Sequence, residues 1–259
     1  MQEKLGEVSF EKSGHVAIIE IDRPPLNYAS TALVRDLADI LCRIDVDPDI
    51  RCSVLQTAGK VFCAGADLTG DDDPTQHGLE GTRKLYGEAV RLFSAIKPIV
   101  ALVQGAAVGA GLGLALVADF RIASPEARFS SNFVKLGFHP GFGITHTLPR
   151  LIGNQNALLM CLTGRRIKAE QALEWQLVDE IVAPEQLREA GLTLAREIAE
   201  NAPLALISTR ATMRSSLAAA VKAQSDIESI EQVKLRNTED FAEGVRAVRE
   251  RRAGHFTGR

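Results

Sequence analysis

The sequence predicts an α/β layered fold followed by a mostly helical C-terminal region. Three observations lead there. Short β-branched runs alternate with amphipathic helical runs through the first half of the chain; strand signals nearly vanish after about Gly141; and 259 residues at 46% hydrophobic and 24% charged suffice for a large buried core. A chain of this length buries roughly three quarters of the surface it exposes when unfolded, which excludes intrinsic disorder as its main description.

The elements follow in order. The runs 8–11 and 15–22 form a hairpin, closed by the breaker Arg23-Pro24-Pro25. Leu33, Leu37, Ile40, Leu41 and Ile44 recur at helical spacing, with Ser30 or Thr31 as the cap. Strands are expected over 52–57, 99–103 and 120–123, and a helix over 79–96. Beyond Gly141 the one convincing strand is 178–182, whereas 184–201 and 203–252 are rich in Ala, Leu, Glu, Arg and Gln and read as helices separated at Pro203. Leu217, Val221 and Ile227 continue an apolar stripe that suits capping the chain's own core or another subunit. No internal repeat or low-complexity segment is present, and the acidic run Asp71-Asp72-Asp73 sits in a Gly/Pro/Asp-rich stretch expected to be a solvated loop.

Charge and cysteine usage narrow the function classes. Thirty Lys and Arg against 33 Asp and Glu leave a net charge of −3, which disfavours nucleic acid as a partner. Cys42, Cys52, Cys63 and Cys161 show no CxxC or Cys/His ligand spacing, so neither a zinc site nor a redox dithiol is expected and reduced cytoplasmic thiols fit best. The N-terminal MQEKLGEVSFEK lacks the apolar stretch of a secretion signal. Residues 98–118 are uncharged and long enough to span a bilayer, but they hold four glycines and Gln104, with Asp119 and Arg121 directly after; a membrane segment is not expected.

Two small-residue segments carry the chemistry. GKVFCAGADL (59–68) follows a strand, and its N–H groups near 64–67 are expected at a helix start, where unsatisfied donors bind an anionic oxygen. VQGAAVGAGLGL (103–114) places Gly109, Ala110 and Gly111 after another strand, where small side chains let a ligand approach the backbone. GAGLG is not a dinucleotide fingerprint: it reads GxGxG rather than GxGxxG, and Asp119 comes too soon to serve a ribose. The bland alternative for both segments is tight helix–strand packing.

VFCAGADL together with VQGAAVGAGLGLALVADFRIAS resembles the enoyl-CoA hydratase/isomerase family, the crotonase superfamily. Arg23-Pro24 with Leu26-Asn27 is similar to its RPxxLN signature, one residue short; Leu136-Gly137 and Pro140 to Gly143 resemble its LGxxPGxGG segment; LTGRRIKAEQALEWQLVDEIV and RAGHFTG resemble its later regions. The resemblance implies a crotonase-like spiral of ββα units over 1–200 that binds acyl-CoA, and a helical oligomerisation region over 201–259 that builds a homotrimer or a hexamer, a dimer of trimers. It also implies coenzyme A as part of the substrate, with no prosthetic group. The two oxyanion-hole N–H groups fall on Ala66 and Ala110. Ala64, Ala66, Asp67, Leu68, Gly109, Ala110 and Phe133 then line the path of the thioester, with Arg23 and Tyr28 near the nucleotide end and Phe256 able to reach a neighbouring subunit's ligand.

The departures matter as much. The two glutamates of the family's hydratases align with Gly113 and Phe133, so neither carboxylate is present. Each such acid–base group is ordinarily worth about 10² to 10⁴ in rate. His139, directly before Pro140-Gly141, is the candidate substitute, with a structural or second-shell role as its alternative; His146 is expected packed or exposed within a helix, and His77 lies in the acidic stretch. Cys63 reads as a small buried thiol and Asp67 as a turn-fixing helix group. Three function classes stand: an acyl-CoA enzyme working through an oxyanion or enolate (hydration, isomerisation, decarboxylation or hydrolysis), a non-catalytic acyl-CoA-binding oligomer, and a scaffold with no CoA affinity.

Overall fold

The computed structural model describes residues 2–66 and 78–259. Three antiparallel strands open the chain: β1 (Gln2–Leu5), β2 (Val8–Ser13) and β3 (Val16–Ile21). Helix α1 (Thr31–Val46) crosses over to β4 (Cys52–Thr57), which lies parallel to β3 with Ile19 opposite Leu55. The helix starts where a cap is available, because the Ser30 hydroxyl accepts the Leu33 N–H at 3.1 Å. After α2 (Gly78–Phe93), strand β5 (Ile99–Val103) and then β7 (Phe120–Ala123) extend the parallel run. The large sheet has the order β1-β2-β3-β4-β5-β7-β10, its last strand β10 being Glu180–Ile181.

A second, smaller sheet makes the ββα repeat visible. Strand β5 leads into β6 (Ala106–Val108) and α3 (Ala110–Ala115); β7 leads into β8 (Arg128–Ser130) and a 3-10 helix (Asn132–Leu136). In each turn of the spiral the first strand joins the large sheet and the second joins the small one, where β6 and β8 pair in parallel and β9 (Arg166–Lys168) pairs antiparallel to β8. The turn after β4 follows the same plan with a single bridge, Cys63 to Ala107.

Alternation along the strands sends side chains to two cores. Val54, Val100 and Ile122 pack under α6 (Leu187–Ala199), while Leu55, Ala101 and Ala123 face the larger core that α1, α2 and α3 cover. The C-terminal part is helical: α4 (Ile144–Thr163), α5 (Ala169–Glu174), then α7 (Pro203–Met213), α8 (Leu217–Arg236) and α9 (Glu239–Arg249). The uncharged stretch 98–118 becomes β5, β6 and α3, and among the described residues no helix is long and apolar enough to cross a membrane.

Four sequence expectations need correction. Strand β1 and the three-residue strands β6, β8 and β9 were not expected, and β9 falls in the region read as having one strand. Helix α2 ends at Phe93 rather than 96, because the chain turns at Ser94 to feed β5. The helix read over 203–252 is three helices, broken by left-handed Ser216 and by Thr238, whose hydroxyl caps α9. Residues 64–66 are irregular backbone, not a helical turn.

Candidate active site

The site is built from the two glycine-rich turns, and the backbone dictates how they meet. Asn27, buried and left-handed at φ 48°, donates from Nδ2 to the carbonyls of Ala58 and Val61 at 2.8 and 2.7 Å, while its Oδ1 accepts the Arg23 N–H. Ala64 N–H donates to the Leu26 carbonyl, and Ala29 N–H to the Gly65 carbonyl at 2.9 Å. The turn after β4 is thus stapled to the segment before α1.

Its other edge runs along β6. Cys63 N–H donates to the Ala106 carbonyl at 2.9 Å, and the Cys63 carbonyl accepts the Val108 N–H at 3.0 Å. Gly111 is required by this approach: a Cβ there would lie 2.0 Å from the Cys63 carbonyl oxygen. Gly109 takes φ 56° and ψ −121°, open to glycine alone, and so turns the chain from β6 into α3. Residues 64–66 and 109–110 consequently line one cavity of about 60 Å³.

Ala110 is the first residue of α3, so its N–H has no intrahelical acceptor, and Gly109 supplies no side-chain cap. Among the described residues neither the Ala66 nor the Ala110 N–H meets an acceptor. Two backbone donors with no acceptor among the described residues, on residues that line one cavity, have the chemistry to take a carbonyl oxygen that gains negative charge.

The remaining wall is apolar and aromatic. Phe133 and Phe138 line it, stacked with centroids 6.5 Å apart, beside Leu85 and Leu136. Gly113 does not line the cavity; a Cβ there would fall 2.6 Å from the Phe142 ring. Tyr86 and Gln232 close the far side: the Tyr86 hydroxyl donates to Gln232 Oε1 at 2.7 Å, and Gln232 Nε2 donates to the His139 carbonyl at 2.8 Å. Burial pushes the Tyr86 phenol far above its ordinary range, so it stays protonated. Sequence reasoning missed Tyr86, Gln232 and Asn132; only Asn132, next to Phe133, stood where a motif drew attention.

Other sequence candidates are placed as follows. His139 does not line the cavity, and its Nδ1 lies 2.7 Å from the Pro140 carbonyl. His146 sits in α4, away from the cavity, with burial lowering its pKa. Cys63 is fully enclosed and its thiol is pushed up to about 11, as expected of an inert core thiol. Arg23 donates to the Tyr28 carbonyl and pairs with Glu7 at 3.3 Å; neither Arg23 nor Tyr28 borders the cavity. Asp67, Leu68, the acidic run 71–73 and His77 lie outside the described residues. No group of His, Cys, Asp and Glu among the described residues is arranged to hold a metal ion.

The enoyl-CoA hydratase/isomerase family matches residues 11–259. The chain belongs to that family. It is 37% identical to (E)-benzylidenesuccinyl-CoA hydratase of Thauera aromatica over 254 residues, 97% of this chain and 99% of that one. It is 34% identical to 1,2-epoxyphenylacetyl-CoA isomerase of Escherichia coli (strain K12) over 250 residues, 94% of this chain and 95% of that one. Among solved structures, an enoyl-CoA hydratase/isomerase from Pseudoalteromonas atlantica T6c superposes with a TM-score of 0.86 at 30% identity, covering 97% of this chain and all of that one. An enzyme of the crotonase fold acting on acyl-CoA thioesters is what family membership supplies, and the ββα spiral described above is that fold.

Proposed function

We propose that the protein holds the thioester oxygen of a short acyl-CoA between the Ala66 and Ala110 N–H groups and stabilises the enolate formed there, and that the enolate arises by decarboxylation of a malonyl-type thioester. The observation that carries this reading is that Ala66 and Ala110 line one cavity and that neither N–H meets an acceptor among the described residues. In that step the bond between Cα and the carboxylate breaks, carbon dioxide leaves, and the electron pair moves onto the thioester oxygen. A proton from water then completes the saturated acyl-CoA.

Two features favour this reaction. Gly113 and Phe133 stand where the family resemblance puts the hydratase glutamates, and among the described residues no carboxylate or imidazole lines the cavity. Decarboxylation needs no base to begin. A lining without a cation, among the described residues, leaves a substrate carboxylate without a counter-charge and so does not resist its loss. Size bears on the acyl group rather than the reaction: about 60 Å³ is well under the roughly 150 Å³ of a cavity that takes benzene, so the described walls suit a short acyl group. The hydratase and isomerase named above keep water addition and isomerisation as the second reading, for which an acid or base must act from elsewhere.

Coenzyme A enters as part of the substrate. We infer a homotrimer or a dimer of trimers in the cytoplasm, with α7 as a contact surface, since Leu204 and Met213 are 81% and 77% exposed.

The test is the product mass after incubation in D₂O with malonyl-, enoyl-, saturated and β-keto acyl-CoAs, with Ala66→Pro beside the wild type. Loss of carbon dioxide with uptake of deuterium, abolished in Ala66→Pro, is expected. Gain of water, isomerised product or free CoA assigns hydratase, isomerase or hydrolase chemistry instead. Binding without conversion makes the protein a non-catalytic acyl-CoA binder, and absence of binding makes it a scaffold.

A further inference from the structure

The cavity's polar side chains are accounted for, with one exception. The Thr82 hydroxyl donates to the Gly78 carbonyl at 3.0 Å, the Tyr86 hydroxyl to Gln232, and Gln232 is engaged at both ends of its amide. Asn132 lines the same cavity from the start of the 3-10 helix, and among the described residues its carboxamide makes no hydrogen bond. Its Oδ1 would lie 3.3 Å from a Cβ placed on Gly109, so the amide stands beside the residue that precedes the Ala110 donor.

We propose that Asn132 is a specificity-determining residue that donates a hydrogen bond to an oxygen substituent of the bound acyl group, a carboxylate attached near the thioester. The proposal rests on the acyl-CoA reading above and adds which acyl-CoAs the site prefers. The reasoning is one of elimination and placement. A carboxamide offers two N–H donors and a carbonyl acceptor, and rotation about its last bond exchanges them. Asn132 is half-buried, and a bound acyl group displaces water from its carboxamide, so a chain bearing oxygen that replaces those hydrogen bonds is favoured over a hydrocarbon chain of equal size. No Lys or Arg lines the cavity among the described residues. Asn132 therefore holds the carboxylate by a neutral donor, orienting it without the fixed counter-charge that would resist its departure as carbon dioxide.

The test compares binding of two stable probes by calorimetry. Sulfoacetyl-CoA mimics a malonyl-type thioester but cannot lose carbon dioxide, and butyryl-CoA offers a methyl end. For wild type, Asn132→Leu and Asn132→Asp, thermal unfolding is recorded alongside. Asn132→Leu is expected to weaken sulfoacetyl-CoA by roughly tenfold to a hundredfold, the effect of one hydrogen bond to a charged group, while leaving butyryl-CoA within about twofold. Asn132→Asp is expected to weaken sulfoacetyl-CoA further, because it removes the donor and adds like charge. Equal effects on both probes, or none on either, overturn the role of Asn132. Failure of wild type to bind either probe overturns the acyl-CoA reading instead.

Discussion

Gly113 and Phe142 share one space: a Cβ on Gly113 would stand 2.6 to 2.8 Å from three atoms of the Phe142 side chain, which is completely buried and held at φ 64°. Glycine at 113 is therefore matched to its neighbour. The volume a side chain there would start from is filled by the Phe142 side chain, whose ring also packs edge-on to Tyr86, centroids 6.4 Å apart.

Gly113→Ala is accordingly expected to cost about 1 to 3 kcal/mol by overpacking. In the Phe142→Ala background, where the ring is gone and only the Cβ remains 2.8 Å away, the same change is expected to cost less, even though Phe142→Ala itself loses about 3 to 5 kcal/mol. Chemical denaturation of the four proteins of this double-mutant cycle checks it; an equal Gly113→Ala penalty in both backgrounds contradicts the shared space. By the same argument Gly113→Glu alone is expected to destabilise the protein.

Ala110 allows an unusually clean removal of an N–H. It is the first helical residue of α3, a position where proline fits and where the lost donor serves no helical bond. Ala110→Pro is expected to lower kcat by about 10² to 10³ while the protein remains folded. The check is a progress curve with the substrate found in the D₂O assay, together with far-UV circular dichroism. Unchanged kcat in a folded variant removes Ala110 from the oxyanion site.

How far the sequence foretold this arrangement depends on the range of the interactions. The hairpin of β2 and β3, the Ser30 cap and strands β4, β5 and β7 were legible because period-two or helical spacing and local capping decide them. Strands β6, β8 and β9 were not, since three residues show no period and each owes its pairing to a neighbour brought in by the spiral. The meeting of Ala66 with Ala110 was legible only through family resemblance; its physical cause, the Asn27 staple and the Cys63 clamp, appears with the backbone hydrogen bonds. Tyr86 and Gln232 lie 146 positions apart, and no local pattern announces their pairing.

Asp119 ties the C-terminal helices to the sheet. Its carboxylate accepts from Ile99 N–H at 2.8 Å, Arg210 Nε at 2.9 Å and Arg214 Nη1 at 2.8 Å, all largely buried. Asp119→Asn leaves two arginines without their counter-charge, and a loss of about 3 kcal/mol is expected. Because these groups are shielded from solvent ions, 0.5 M salt is expected to recover little of it. Urea unfolding at low and high salt measures both; full recovery in salt places the pair at the surface instead.

Glu228 gives the protein a specific pH dependence. The carboxylate, fully buried on α8, accepts from Gly143 N–H at 2.7 Å, Thr145 N–H at 3.0 Å and the Thr145 hydroxyl at 2.6 Å, capping α4 from another helix. Burial outweighs these three donors and pushes its pKa from 4.5 up to about 7. A carboxyl raised on folding binds its proton more tightly in the folded chain than in the unfolded one. Its contribution to stability is therefore whole below about pH 4.5, declines as the pH rises toward 7, and is lost above that. The difference amounts to about 3 kcal/mol across the window. Glu228→Gln cannot ionise, so its stability is expected to fall less than that of wild type between pH 5 and 8, although it forfeits one of the cap's hydrogen bonds at every pH. Urea unfolding at four pH values compares the two slopes, and parallel slopes would show that Glu228 titrates near its ordinary value in the folded protein.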